Sequence, residues 1–422
     1  MKRLLLLPLL TAAALAQGPL TPPSVTGPAV GPVAPLDGSG NPQPTMKTLH
    51  QVEPRVPVQS LAAAAPYTIS QPGSYYLTGN ITVATGDAIV INSDDVVLDL
   101  NGFTIKSTLV GVSAGTAVFI TGAHSRLSVR NGAIVSSTTV VGTANPVRAG
   151  FNNGVYAGYI TQAVVADLHI SGMGNSGIWL DDQGIVERCT VANCGASGIR
   201  ADEIVDCSVK YCYGAAIYAY SNVANCTGRS TVDYGIYSNG NATNCTGVST
   251  SSYGLFAMEN ATNCKGSSNG TNTHGLIAMS ATNCSGTSAS GDGLNVSGNA
   301  LNCFGTSSSG SGVYADGNVT NCTGVSISGV GLTAIANASN SSGRCTGSAS
   351  GTGLRVVGNA SNCMGTTAGV TATGLWVDGT ATSCAGKATG GALSTGLRAA
   401  IAIGCTYSGG TTPLVAGKSF NM

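Results

Sequence analysis

The sequence predicts an all-β chain wound as a parallel β-helix, and three patterns carry that expectation. The first is a beat in which Gly, once replaced by Ala, precedes an aliphatic residue every 18 to 23 residues. It runs from Gly154-Val155 through Gly177-Ile178, Gly198-Ile199, Ala216-Ile217, Gly235-Ile236 and Gly254-Leu255 to Gly374-Leu375 and Gly396-Leu397. A fixed period in this range marks a solenoid, whose repeats bury their apolar faces only against their neighbours. The second pattern is alternation after the Gly. Position one is Ile, Leu or Val, position two is large and variable, and position three is small or apolar, as in Ala157, Ala201, Ala257 and Val377. Period two means a strand with positions one and three inside and position two outside. The third is a later beat, such as Ala242-Thr243-Asn244-Cys245 and Ala261-Thr262-Asn263-Cys264. Several short strands and bends in about 20 residues fit a β-helix coil, with strands stacked about 4.8 Å apart.

Taken in chain order, residues 1–16 read as a secretory signal peptide. Met1-Lys2-Arg3 is basic, Leu4 onward is apolar, and Ala14-Leu15-Ala16 is a cleavage site. No later apolar run is long enough to span a membrane, so the expected location is secreted, cell-surface or periplasmic. Residues 17–58 hold ten prolines and read as an extended linker, with one helical turn over 46–52 as a docking cap. The solenoid is expected over 59–415 and a tail over 416–422.

Its opening coils contain Tyr67-Thr68-Ile69-Ser70-Gln71-Pro72-Gly73-Ser74-Tyr75-Tyr76, then Asp94-Asp95-Val96-Val97-Leu98-Asp99-Leu100-Asn101-Gly102. This stretch resembles secreted bacterial right-handed parallel β-helix proteins of the pectin-lyase-like superfamily. The resemblance implies a single-stranded right-handed parallel β-helix with a Pro-rich N-terminal extension. Its implication for function is weak, because that superfamily spans lyases, hydrolases, epimerases and adhesins. The paired-Asp, Gly-His-Gly and Arg-x-Lys motifs of its polygalacturonases are absent, as is the Arg-centred motif of its pectate lyases, so no catalytic residue carries over.

Within the coil, strict alternation would turn each Asn inward and each Cys outward. A bend at the Asn is the better reading, because Asn tolerates left-handed backbone angles. Its amide can then bond the Asn of the next coil, and the Cys faces inward. The remaining Gly and Ser are expected in turns. The fourteen cysteines recur about once per coil, which suits an inward row of free thiols. Disulfides between coils and a zinc site built on Cys189, Cys194, Cys207 and Cys212 are the alternatives.

Position two of the first strand forms the candidate site. It reads Tyr156, Trp179, Arg200, Tyr218, Tyr237, Phe256, Ile277, Asn295, Tyr314, Thr333, Arg355, Trp376 and Arg398. Seven of these thirteen are aromatic in a chain that is 5% aromatic, and both tryptophans are here. Beside them come Asp181, Asp202, Asp316 and Asp378. Rings flanked by carboxylates and guanidinium groups suit a sugar, whose apolar face packs on the ring while its hydroxyls bond the polar groups. The expected ligand is a polysaccharide contacted by Tyr156, Trp179, Tyr218, Tyr237, Phe256, Tyr314, Arg355, Trp376 and Arg398. Rings at equal heights also stack on each other, so a purely structural column is the competing reading. A second candidate is the acidic patch of Asp181, Asp182, Asp202 and Glu203 beside Arg200, where equivalent positions bring four carboxylates together. Such a patch suits Ca²⁺ or, with one raised pKa, acid–base cleavage by a lyase or hydrolase. A solvated turn is the plain alternative there, and His169 reads as an ordinary surface histidine. Zero net charge argues against nucleic-acid binding, which needs a basic face.

Overall fold

The structure is a computed structural model that describes residues 55–181, 183–347, 350–410 and 413–420. The expected signal peptide, the Pro-rich residues up to 54, the expected turn at 46–52 and Asp182 lie outside the described residues. Every named strand belongs to one parallel-paired solenoid of about 17 turns, and the only helical element among the described residues is a 3₁₀ turn, Val58–Ser60. Among the described residues no helix is long and apolar enough to cross a membrane.

A regular coil has three strands. Ile236–Ser238, Ala242–Thr243 and Thr246–Ser249 make one coil, and each pairs in parallel with its counterpart in the next: Ile236 with Leu255, Ala242 with Ala261, Thr246 with Lys265. Three sheets therefore run along the axis. The aliphatic residue of the first sheet is fully enclosed at Ile178, Ile199, Ile217, Ile236, Leu255 and their successors. The small residue of the second sheet, as at Ala242, Ala261 and Ala281, faces the same interior, as do the cysteines.

The third sheet was not foreseen. Its Thr-Gly-x-Ser segments, expected as turns, are four-residue strands whose Gly and Ser face inward. The Gly is required by close approach. A Cβ on Gly247 would lie 2.1 Å from the Gly254 carbonyl oxygen, and one on Gly254 would lie 2.2 Å from the Ser267 nitrogen. The first and third sheets thus meet at a corner with no room for a side chain on either wall. The Ser closes the next turn. Ser249 Oγ donates to the Asp233 carbonyl at 2.7 Å and accepts the Ser252 N–H at 2.9 Å, and Ser326 does the same with Gly310 and Gly329. The partly buried turn carbonyls of Asp233 and Gly310 are thereby paired.

Asn225, Asn244, Asn263, Asn283, Asn302, Asn321, Asn340 and Asn362 all have φ between 50° and 54°. Asn244 Nδ2 donates to Asn225 Oδ1 at 3.0 Å, and the same contact repeats from Asn263 to Asn244 and from Asn283 to Asn263 at 3.1 Å. The backward kink turns each following Cys inward, and all fourteen cysteines are buried and unpaired. One coil exchanges two residue types. Ser341 stands in the cysteine row, accepting the Cys322 N–H, while Cys345 is in register with Ser326 of the serine row. The solenoid also extends past its expected ends. Val56–Pro57 pairs with Tyr75 and Tyr76, and Leu414–Phe420 pairs with the preceding coil through residues expected to form a tail.

Candidate functional site

Position two of the first sheet is one unbroken register column. Phe119 pairs with Tyr156, Tyr156 with Trp179, Trp179 with Arg200, Arg200 with Tyr218, Tyr218 with Tyr237 and Tyr237 with Phe256. The column continues through Ile277, Asn295, Tyr314, Thr333 and Arg355 to Trp376 and Arg398. The expectation that these side chains stand free in water needs correction. The rings are half-buried and Thr333 is buried, leaving only Arg355 and Arg398 of the column exposed. Parallel pairing sets the rings at ring-stacking distance, so they cover one another. Tyr218 and Tyr237 stack with centroids 4.6 Å apart, and Tyr237 and Phe256 at 5.3 Å. Tyr156 meets Trp179 edge-on at 5.6 Å.

The arginines are part of this packing. The Arg200 guanidinium lies 5.0 Å from the Trp179 ring centroid and 4.7 Å from that of Tyr218, and its Nε donates to the Tyr220 hydroxyl. At the other end, Arg355 and Arg398 sit 5.0 and 4.2 Å from the Trp376 ring. Trp376 Nε1 donates to Asp378 Oδ1 at 2.6 Å, and the Tyr314 hydroxyl donates to Asp316 Oδ1 at 2.9 Å. Each carboxylate therefore fixes the polar tip of its own ring and keeps further lone pairs for a ligand. The bond to Asp316, followed by burial, raises the Tyr314 hydroxyl pKa above the ordinary phenol value.

A second aromatic row lies beside the first, on the residues immediately preceding the Gly beat. Tyr234 stacks on Tyr253, and Tyr253 on the His274 ring at 5.7 Å and 3°. His274 Nδ1 is 3.3 Å from Asp292 Oδ2. Burial works against the Asp292 charge, yet the neighbouring His274 ring and hydrogen bonds from Asn295 Nδ2 and the Ser311 N–H hold its carboxyl below the usual range. Burial raises Tyr234 and Tyr237 above the ordinary phenol value. Phe119, Tyr220, Tyr234, Tyr253 and His274 all belong to this surface and were missed. Counting one position before the Gly would have found the second row.

Around the acidic patch the register differs from the count along the sequence. Asp182 was expected level with Glu203, but Glu203 pairs with Ile185. Trp179 is level with Arg200, so the coil of Trp179 carries three extra residues before its second sheet, in a turn where Gln183 and Gly184 donate to the Asp181 carbonyl. Among the described residues no three His, Cys, Asp or Glu side chains converge as metal ligands. Asp181 instead lines a surface cleft with Asp94, His124 and Tyr159. His124 Nδ1 lies 3.1 Å from Asp94 Oδ1, and Tyr159 is 77% exposed. The Ser125 N–H and His124 lower the Asp94 pKa. Asp202 follows Ala201 of the first sheet, its N–H donating to the Gly184 carbonyl. His169 is exposed on the third sheet, between Ala133 and Thr190.

Residues 75–221 match the family model described as "Right handed beta helix region". No curated protein sequence matches the chain. Among solved structures, the A-module of one Azotobacter vinelandii mannuronan C-5 epimerase aligns at 12% identity, covering 86% of this chain and 93% of that one, with a TM-score of 0.26. A second such A-module aligns at 12% identity over 83% and 91%, with a TM-score of 0.24. The Dettilon tailspike protein aligns at 10% identity over 69% of this chain and 57% of its own, with a TM-score of 0.28. The chain folds as a three-sheet parallel β-helix, and residues 75–221 of it match the right-handed β-helix family model.

Proposed function

We propose that this protein is an exported or surface-exposed, non-catalytic β-helix that binds polysaccharide along the aromatic column of its first sheet. The observation that carries the reading is Trp376. Its ring has Arg355 and Arg398 on neighbouring coils and Asp378 on its nitrogen, which is a ring platform edged by donors and acceptors. Ten coil rises of about 4.8 Å separate Trp179 from Trp376, so an extended chain of several sugar rings has platforms to span. The test is tryptophan fluorescence of the chain titrated with plant and microbial polysaccharides, with and without Ca²⁺. Both tryptophans are in the column, so a saturable shift is expected with at least one glycan and its loss in Trp376→Ala. No shift with any member of a broad panel would leave the column a structural stack on an inert scaffold.

One observation favours a second reading, in which the bound polysaccharide is cleaved. The cleft holding Asp94, His124, Tyr159 and Asp181 is lined by residues that follow Phe119, Tyr156 and Trp179 within a few positions of the chain, and its groups have acid–base chemistry. That reading expects new unsaturated or reducing ends, abolished by Asp181→Asn. Binding without product refutes it.

A further inference from the structure

Eight cysteines stand in one uninterrupted inward row, on successive coils: Cys189, Cys207, Cys226, Cys245, Cys264, Cys284, Cys303 and Cys322. Ser341 interrupts it, and Cys363, Cys384 and Cys405 resume it. Cys194 and Cys212 form a separate interacting pair, and Cys345 stands apart between Ser326 and Thr367. We propose that adjacent thiols of these rows bind soft monovalent d¹⁰ cations, such as Cu(I), in two-coordinate bridges.

Three features support this. The first is spacing. Equivalent sulfurs on successive coils are separated by one coil rise of about 4.8 Å. Two thiolate–metal bonds of about 2.3 Å, laid end to end, span nearly that distance. The second is ligand chemistry. Thiolate selects soft ions, and the side chains form single files in which no three ligands converge among the described residues, so tetrahedral zinc has no site there. The third is electrostatics. The backbone N–H of one Cys points at the sulfur of the next: from Cys189 to Cys207 at 3.4 Å, Cys207 to Cys226 at 3.3 Å, Cys303 to Cys322 at 3.3 Å and Cys363 to Cys384 at 3.4 Å. Each S–H now donates to a carbonyl, as Cys207 does to Val205 at 3.2 Å and Cys322 to Thr320 at 3.2 Å, and the N–H donors are what would stay on the sulfur once a metal replaces that proton. Each bridge exchanges two thiol protons for one cation, so uptake releases two protons per ion.

The rows set the count. One ion for every two neighbouring thiols, with no thiol shared, gives four in the run of eight, one in the run of three and one at Cys194 and Cys212, leaving Cys345 and one thiol of the run of three unbridged. The reduced full chain, in chloride-free buffer, is titrated with Ag(I) as a redox-inert probe. Bound silver is measured by elemental analysis after gel filtration, and circular dichroism is followed in parallel. Saturation at six ions with the β signal kept is expected. Cys245→Ser splits the run of eight into three and four and should lose one ion, whereas Cys345→Ser should lose none. Ser341 shows that the row accepts Ser in register, so Cys245→Ser tests binding in an intact coil. Equal stoichiometry in the two variants, or silver uptake only as the β signal collapses, would overturn the proposal.

Discussion

Gly254→Ala is the sharpest test of the coil's cross-section. The added methyl would lie 2.2 Å from the Ser267 nitrogen and 2.6 Å from both the Gly275 and Ser267 carbonyl oxygens. All three are backbone atoms of neighbouring strands, so no rotamer change relieves the clash, and the corner must open by about an ångström. Overpacking a close-packed interior costs about 1–3 kcal/mol. Here the clash falls on the third strand of the same coil and on the next coil at once, so the upper part of that range is expected. Gly79→Ala is the matched control. A Cβ there meets nothing within 4 Å and its φ is not positive, so it should be neutral or stabilise by about 0.4–1 kcal/mol through the unfolded chain. A long repeat array need not unfold in one step. The assay is therefore hydrogen exchange read by peptide mass spectrometry, comparing residues 247–276 with distant coils, alongside urea unfolding. Gly254→Ala should raise exchange in that window before elsewhere. Stability equal to wild type, within about 0.5 kcal/mol, would mean that the two walls do not touch.

Two further predictions concern rows of polar side chains. Asn263→Ala loses the bond it gives Asn244 and the bond it accepts from Asn283, and it places Ala at φ 54°. The left-handed angle costs about 1–2 kcal/mol and each hydrogen bond about 0.5–1.5 kcal/mol, so Asn263→Gly should recover the first part alone in chemical denaturation. Equal losses in the two variants would show that backbone strain plays no part. The Asp292 carboxyl has a folded pKa below its unfolded value of 3.8. Its stabilisation is therefore fully present above that value and falls away as pH drops through the folded pKa. Asp292→Asn should flatten the acid limb of the stability–pH curve below about pH 4, and an unchanged limb would remove His274–Asp292 from the account.

The legible parts of this chain are those where side-chain type and backbone need coincide. Ile236 and Leu255 mark an inward position that is always aliphatic, and Asn244 and Asn263 stand where a left-handed bend rewards Asn, so repetition alone exposed both. The third sheet was hidden for the opposite reason. Gly247 and Ser249 have turn propensity, yet their place is set by the Gly254 backbone across the interior, and tertiary contact overrides propensity. The column was legible from Tyr156 onward because its spacing stays near the mean. Phe119 was lost because 37 residues separate it from Tyr156, its next-coil partner. At the acidic patch, counting along the sequence departs from the structure at a single turn. Counting forward from Trp179 and Arg200 placed Asp182 level with Glu203, and the extra residues before Gly184 broke that equivalence.

The two halves of the aromatic column bear differently on function. From Phe119 to Phe256 most members touch a ring above or below, and Arg200 fills the one gap. Ring pairs of this kind are worth about 0.5–1.5 kcal/mol each beyond area burial, and a row of them stabilises the sheet whether or not a ligand ever arrives. Trp376 is different. No ring pair among the described residues includes it, and its neighbours in the column are the two exposed arginines. Each guanidinium–ring contact at such a site contributes only about 0.5–1 kcal/mol. Stability therefore accounts well for Tyr218 and Tyr237 and poorly for Trp376. Tyr237→Ala should lower stability clearly, because it removes two stacked contacts at once. Trp376→Ala should cost less stability but abolish glycan-induced emission changes that persist in Trp179→Phe. If Trp376→Ala instead destabilises as much as Tyr237→Ala and leaves glycan affinity untouched, the C-terminal platform is structural and binding must be sought at the Asp94–His124 cleft.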